Sequence, residues 1–183
     1  MGTVMRTVVS KRALAAALVA VGLLSAQGPS TAAPAKTYAP PFAIGPAGGD
    51  SDGYASADPQ GRVTVFRVYP APGPINCPGA GHFANLKVVH KLTGPVHKVT
   101  AAYDTTLVDP YVHVSVSVRD ATGRYIGNAK PAGAAGSGSI DVPVRWDRTV
   151  KGPLQILFGL EIATACPHVD GGTINFTKVT VSG

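Results

Sequence analysis

One ten-residue segment, from Tyr111 to Asp120, alternates strictly between apolar and polar side chains. Its apolar members are Val112, Val114, Val116 and Val118. Side chains at every second position of a strand point to one face, so the segment predicts a strand whose valine face packs on a core. The next residues, 120–123, predict a turn, because Asp can accept bonds from nearby amides and Gly tolerates positive φ. We expect residues 124–127 to return as a partner strand.

The chain after residue 61 repeats this pattern of short alternating segments separated by turn residues. The predicted strands are 62–69, 83–92, 96–103, 111–120, 124–127, 139–146, 154–166 and 173–181. Pro143 indicates an edge strand or a bulge, and a change of parity between Phe176 and Val179 indicates a bulge near Lys178. No helical periodicity follows the first thirty or so residues. The sequence therefore predicts an all-β fold: a two-sheet antiparallel β-sandwich, jelly-roll-like, with about eight strands.

Residues 1–33 have the layout of a secretory signal peptide. Arg6, Lys11 and Arg12 precede an uncharged apolar run over 13–24, and small residues follow over 30–35. The apolar run is too short to span a bilayer. We therefore expect a secreted, extracellular protein that is not inserted in the membrane after cleavage. Cleavage would remove three positive charges and lower the formal net charge from +6 to +3.

Residues 34–61 are rich in Pro, Gly, Ala, Ser and Asp and offer few apolar anchors. Such a composition buries too little surface to offset its ordering entropy, so it predicts a flexible N-terminal extension. The β-sandwich domain is predicted to span residues 62–183.

Cys77 and Cys166 are the two cysteines of the chain. In an exported protein such a pair predicts one disulfide, and mass spectrometry after alkylation of the denatured protein should find no free thiol. A metal site using His82 and His168 is the alternative, but the spacings match no standard zinc pattern. We expect no metal and no cofactor.

Several enzyme classes lack their sequence motifs in this chain. It contains no Gly-x-Ser-x-Gly, no His-Glu-x-x-His, no phosphate-binding loop and no dinucleotide fingerprint. Glu161, the single Glu, could form half of a carboxylate pair for glycoside hydrolysis, but a sheet-surface carboxylate facing water is the ordinary explanation. We assign no catalytic residue. The charge is spread without a basic cluster, so nucleic acid is not an expected partner.

The polar face of the central segment is the candidate ligand-binding surface. It combines an aromatic ring, hydroxyls and a guanidinium, which suit stacking and hydrogen bonding to a sugar: Tyr111, His113, Ser115, Ser117 and Arg119. An antiparallel sheet also commonly leaves one face to solvent, and that produces the same alternation. Because alternation alone produces the pattern, a solvated face is the more ordinary of the two interpretations.

The alternation resembles secreted jelly-roll carbohydrate-binding and lectin-like domains in general, although no motif of a named family is present. The sequence thus favours a secreted, non-catalytic binding module for polysaccharide or a cell-surface component. A protein-interaction role, as an exported inhibitor or a surface structural protein, is the alternative. A small secreted hydrolase is a third hypothesis.

Overall fold

The structure is a computed structural model that describes residues 34–49, 53–67, 81–162 and 170–183. These residues form eleven strands, numbered β1 to β11 in chain order. The bounds are Lys36–Tyr38, Ala43–Gly48, Gly53–Ala57, Arg62–Arg67, Phe83–His90, Lys98–Arg119, Tyr125–Ala129, Ala132–Ala134, Gly138–Pro143, Leu154–Ile162 and Asp170–Ser182. None of the described residues is helical, so this part of the chain contains no helix that could cross a bilayer.

Strand β6 belongs to both layers of the fold. Its C-terminal part, residues 112–119, pairs with β10, whereas its N-terminal part, residues 98–108, pairs with β11. The first layer, sheet I, has the order β2-β5-β10-β6-β7. The second layer, sheet II, has the order β9-β6-β11-β4-β3, with β1 also on β11. Every pairing is antiparallel, and the predicted two-sheet sandwich is confirmed.

The apolar faces of the two sheets meet in one core. All four valines of the central segment are fully buried, as their alternation predicts. Phe158 of β10 and Phe176 of β11 meet across the layers, with ring centroids 5.0 Å apart in an edge-to-face arrangement. Burial of this kind supplies most of the driving force for folding.

The predicted turn after the central strand has the expected chemistry. The backbone amides of Thr122 and Arg124 donate to the Asp120 carboxylate, at 2.9 and 3.2 Å. The Thr122 hydroxyl also donates to it, and these bonds hold the pKa of Asp120 below its usual range. Gly123 takes a φ of +86°, which favours glycine. Strand β7 then returns along β6 from Tyr125.

Two details of strand geometry also agree with the sequence. Strand β9, which contains Pro143, pairs with β6 alone among the described strands, as expected for an edge strand. The register of β11 shifts between Phe176 and Lys178, where the change of parity predicted a bulge. The bulge lets side chains on both sides of it face the core.

The strand count differs from the predicted eight for two reasons. The predicted strands 96–103 and 111–120 are parts of one 22-residue strand, β6. The three residues of β8 and the strands β1, β2 and β3 had not been predicted. Pairing with strands that are distant in the sequence forms or extends these strands, although their residues show no alternation of apolar and polar side chains.

The composition of residues 34–61 predicts a flexible extension, but within this range residues 36–38, 43–48 and 53–57 pair as strands. Phe42 is the anchor, since its ring is buried in the core beside Phe158. The predicted signal peptide, residues 1–33, and both cysteines lie outside the described residues. The disulfide between Cys77 and Cys166 therefore stays a prediction.

Candidate functional site

An open groove of about 670 Å³ runs over the outer face of sheet I. We call it the sheet I groove. It is lined by Pro46, Phe83, Asn85, Ser115, Val116, Ser117, Arg119, Tyr125, Asn128, Lys130, Leu157 and Glu161. The groove crosses five paired strands, β2, β5, β10, β6 and β7, so residues that are distant in the sequence form one surface.

The floor of the groove includes two short side chains, Ser115 and Ser117, on the central strand β6. Ser115 of β6 lies opposite Gly159 of β10, and Ser117 lies opposite Leu157. Gly159 is essential to the close approach of β10 and β5, because a Cβ there would lie 1.9 Å from the carbonyl oxygen of Ala84. Short side chains in the middle of the sheet leave a depression between its larger flanking residues.

One wall of the groove is the hairpin of β6 and β7. The register of this hairpin places Tyr125 opposite Arg119. The Arg119 guanidinium lies over the Tyr125 ring, 4.1 Å from its centroid, and Nη2 donates to the Tyr125 hydroxyl. Such a cation–π contact orients both groups. Tyr125 nevertheless keeps 58% of its surface exposed, so its ring remains available to a ligand.

The opposite wall comes from β5 and β2. The Asn85 side-chain amide donates to the Pro46 carbonyl oxygen at 3.1 Å. The Phe83 ring packs against Gly48, where a Cβ would lie 3.1 Å from it. A register shift between Ile44 and Ala47 displaces Pro46 from regular pairing. A proline, which lacks an N–H, is tolerated at such an edge bulge.

An ion pair lies at one end of the groove. Lys130 Nζ is 2.8 Å from Glu161 Oε2, and both side chains are partly exposed. The Lys130 carbonyl oxygen is 3.3 Å from His113 Nδ1. A pair exposed to this extent contributes little to stability, on the order of 0–1 kcal/mol. Its main effect is to neutralise the two charges against each other.

The groove includes three of the five residues that the sequence indicated. Ser115, Ser117 and Arg119 line it, whereas Tyr111 and His113 lie further along the same strand face and are not among its lining residues. Tyr111 is about half exposed.

Sequence reasoning missed the walls of the groove. Of these residues, Tyr125 could have been found, because a hairpin closed at residues 120–123 places it beside Arg119. The contributions of Pro46, Phe83 and Asn85 depend on long-range pairing that no local pattern reveals.

The described residues contain no group of three or more His, Cys, Asp or Glu side chains placed to hold a metal ion. Glu161 is the one carboxylate among the described residues that line the groove. The second carboxylate that two-carboxylate glycoside hydrolysis requires is thus not among these lining residues.

No protein-family model matches the chain, and no curated protein matches it. Among solved structures, TmCBM61 in complex with β-1,4-galactotriose has a TM-score of 0.38 and 14% sequence identity, over 79% of this chain and 87% of that chain. A mutant of CBM29-2, a family 29 carbohydrate-binding module, has a TM-score of 0.37 and 12% identity, over 81% and 92%. A glycoside hydrolase family 43 arabinoxylan arabinofuranohydrolase from Bacillus subtilis, in complex with cellotetraose, has a TM-score of 0.33 and 17% identity, over 73% of this chain and 25% of that chain.

Proposed function

We propose that the protein is an exported, non-catalytic module that binds polysaccharide, free or at a cell surface, in the sheet I groove. The observation that carries this proposal is the shape of the groove. Its floor includes the short side chains of Ser115 and Ser117, larger side chains flank it on both sides, and the Tyr125 ring on one wall is exposed. A merely solvated sheet face needs none of these features.

The dimensions of the groove suit an extended polymer. From the level of Glu161, a lining residue of β10, to that of Arg119 the strands advance six residues, or about 20 Å at 3.4 Å per residue. A ligand lying along β6 and β10 would contact several levels of side chains in succession. A compact small molecule would occupy only part of this length.

The lining chemistry suits sugar rings. A pyranose ring has apolar C–H faces and hydroxyl groups around its edge. The exposed Tyr125 ring can stack on such a face, and the hydroxyls of Ser115 and Ser117 with the amides of Asn85 and Asn128 can donate to and accept from the edge. Sites for small ligands commonly combine apolar surface with a few directed polar groups in this way.

Export is part of the proposal and is supported by the n-region, apolar run and small-residue segment of residues 1–33. N-terminal sequencing of protein recovered from the medium of expressing cells tests it directly. A mature protein that begins near residue 34 is the expected result.

The binding proposal is tested with a glycan array and with retention on insoluble polysaccharides, using the processed protein. Tyr125→Ala should weaken binding about tenfold, which corresponds to about 1.4 kcal/mol, because it removes the stacking surface. Tyr54→Ala is the matched control, because Tyr54 is also 58% exposed but belongs to β3 of sheet II. Ser117→Trp should block the groove by filling its floor.

Two results would contradict the proposal. One is a folded protein that no polysaccharide retains. The other is an equal loss of binding in the Tyr54 and Tyr125 variants, which would separate binding from the groove.

A further inference from the structure

The outer face of sheet I carries more positive than negative charge. Lys87, Arg119 and Lys130 lie on this face, and Glu161 is its one carboxylate among the described strands. The Lys130–Glu161 ion pair at 2.8 Å neutralises one of the three cations. A positive excess therefore remains beside the groove.

Of the cations in the described ranges, Arg119 is the one that lines the groove without a carboxylate partner. Among the described residues its polar contact is with Tyr125, a neutral side chain. Its Nε is shielded from solvent and has no acceptor within the described part of the chain. A shielded donor without an acceptor carries a desolvation cost. The positive charge of the guanidinium also has no described counter-charge, and a ligand carboxylate at its accessible nitrogens would supply one.

The surroundings of Arg119 also prepare it for an anion. Stacking on Tyr125 fixes the plane of the guanidinium, so less side-chain entropy is lost when a ligand binds. The planar fork of Arg matches the two oxygens of a carboxylate. Ser117 of β6 pairs with Asn128 of β7, next to the Arg119–Tyr125 pair. Both line the groove and offer neutral polar groups to the adjoining sugar hydroxyls.

We infer that the polysaccharide bound in the groove is acidic, with uronic acid units whose carboxylates pair with Arg119. This inference rests on the proposed function, because it names the ligand class of the same groove. Neutral contacts with Tyr125 and the floor bind the sugar rings, and Arg119 selects the charged polymer.

The experiment compares each acidic polymer with its own uncharged form. Polygalacturonate and alginate are used beside the same polymers after reduction of their carboxyl groups to alcohols, and affinity electrophoresis measures retention of the processed protein. At least one native polymer should bind about tenfold more tightly than its reduced form. This preference should diminish as ionic strength rises, because salt screens the interaction.

Variants assign the preference to one side chain. Arg119→Gln should remove the preference for the native polymer, and Arg119→Lys should keep part of it, because Lys retains the charge and loses the planar fork. Arg62→Gln is the matched control, since Arg62 is exposed on β4 of sheet II. Circular dichroism and thermal melting of each variant establish that it is folded.

The outcomes separate this inference from the proposed function. If native and reduced polymers bind equally, and Tyr125→Ala weakens both, the groove binds neutral glycans and only the inference is wrong. If Arg119→Gln keeps the preference, or Arg62→Gln loses it equally, the charge selectivity does not come from Arg119 and the inference is again overturned. If the folded protein is retained by no polymer, charged or neutral, both proposals fail.

Discussion

Replacing Phe42 with alanine tests whether the N-terminal segment is an integral part of the sandwich. Phe42 lies between β1 and β2, and only 5% of its surface is exposed. Its ring packs edge-to-face on Phe158, with centroids 5.1 Å apart and an interplanar angle of 84°. Its backbone N–H donates to the Pro59 carbonyl oxygen at 2.7 Å, and this bond does not depend on the side chain.

The expected loss of stability follows from these contacts. Burying a phenylalanine side chain contributes about 1.5–3 kcal/mol, and an aromatic pair adds about 0.5–1.5 kcal/mol. The cavity left in a packed core raises the cost, and Phe→Ala substitutions in cores typically cost about 3–5 kcal/mol. We expect the free energy of unfolding to fall by that amount in the Phe42→Ala variant.

Urea denaturation provides the measurement, with the fluorescence of Trp146, the single tryptophan, as the probe. For a urea m value of about 2 kcal/mol/M, the midpoint should fall by about 1.5–2.5 M. Phe66→Ala is the matched control, because Phe66 is 42% exposed and should cost much less. A midpoint shift below about 0.5 M for Phe42→Ala would show that residues 34–61 are not docked, contrary to the structure.

Two further predictions concern the close pairing of β10 with β5 and one surface turn. Gly159→Ala should destabilise the protein by about 1–3 kcal/mol or more. The added Cβ would lie 1.9 Å from the Ala84 carbonyl oxygen, so β10 and β5 would have to separate. Urea denaturation measures the loss of stability. Hydrogen bonds from Thr149 lower the pKa of Asp147 from 3.8 to about 2. Because the pKa of Asp147 is lower in the folded than in the unfolded state, the ionised carboxylate stabilises the fold above pH 3.8, and this effect is lost as the pH falls towards 2. The urea midpoint of Asp147→Asn should therefore decline less over this pH range than that of the wild type.

The sequence by itself determined which side chains face the core in the strong strands. Alternating residues on a strand point to opposite sides, so the buried set from Val112 to Val118 could be identified without knowing any partner strand. The turn at Asp120 and the bulge near Lys178 were equally local, because they depend on turn chemistry and on a change of parity. The candidate residues Ser115, Ser117 and Arg119 follow from the same alternation, which is why they line the groove.

The tertiary structure alone decided how the strands pair and where the polar face becomes a groove. Strand β6 pairs with β10 at one end and with β11 at the other. The short stretches within residues 34–57 form strands because they pair with neighbouring strands and because Phe42 is buried in the core beside Phe158. Pairing between distant strands likewise brings Pro46 and Phe83 to the same face of sheet I as Lys130. Alternation specifies a direction for each side chain but carries no information about the neighbouring strand, so a one-strand pattern cannot distinguish a solvated face from a binding groove.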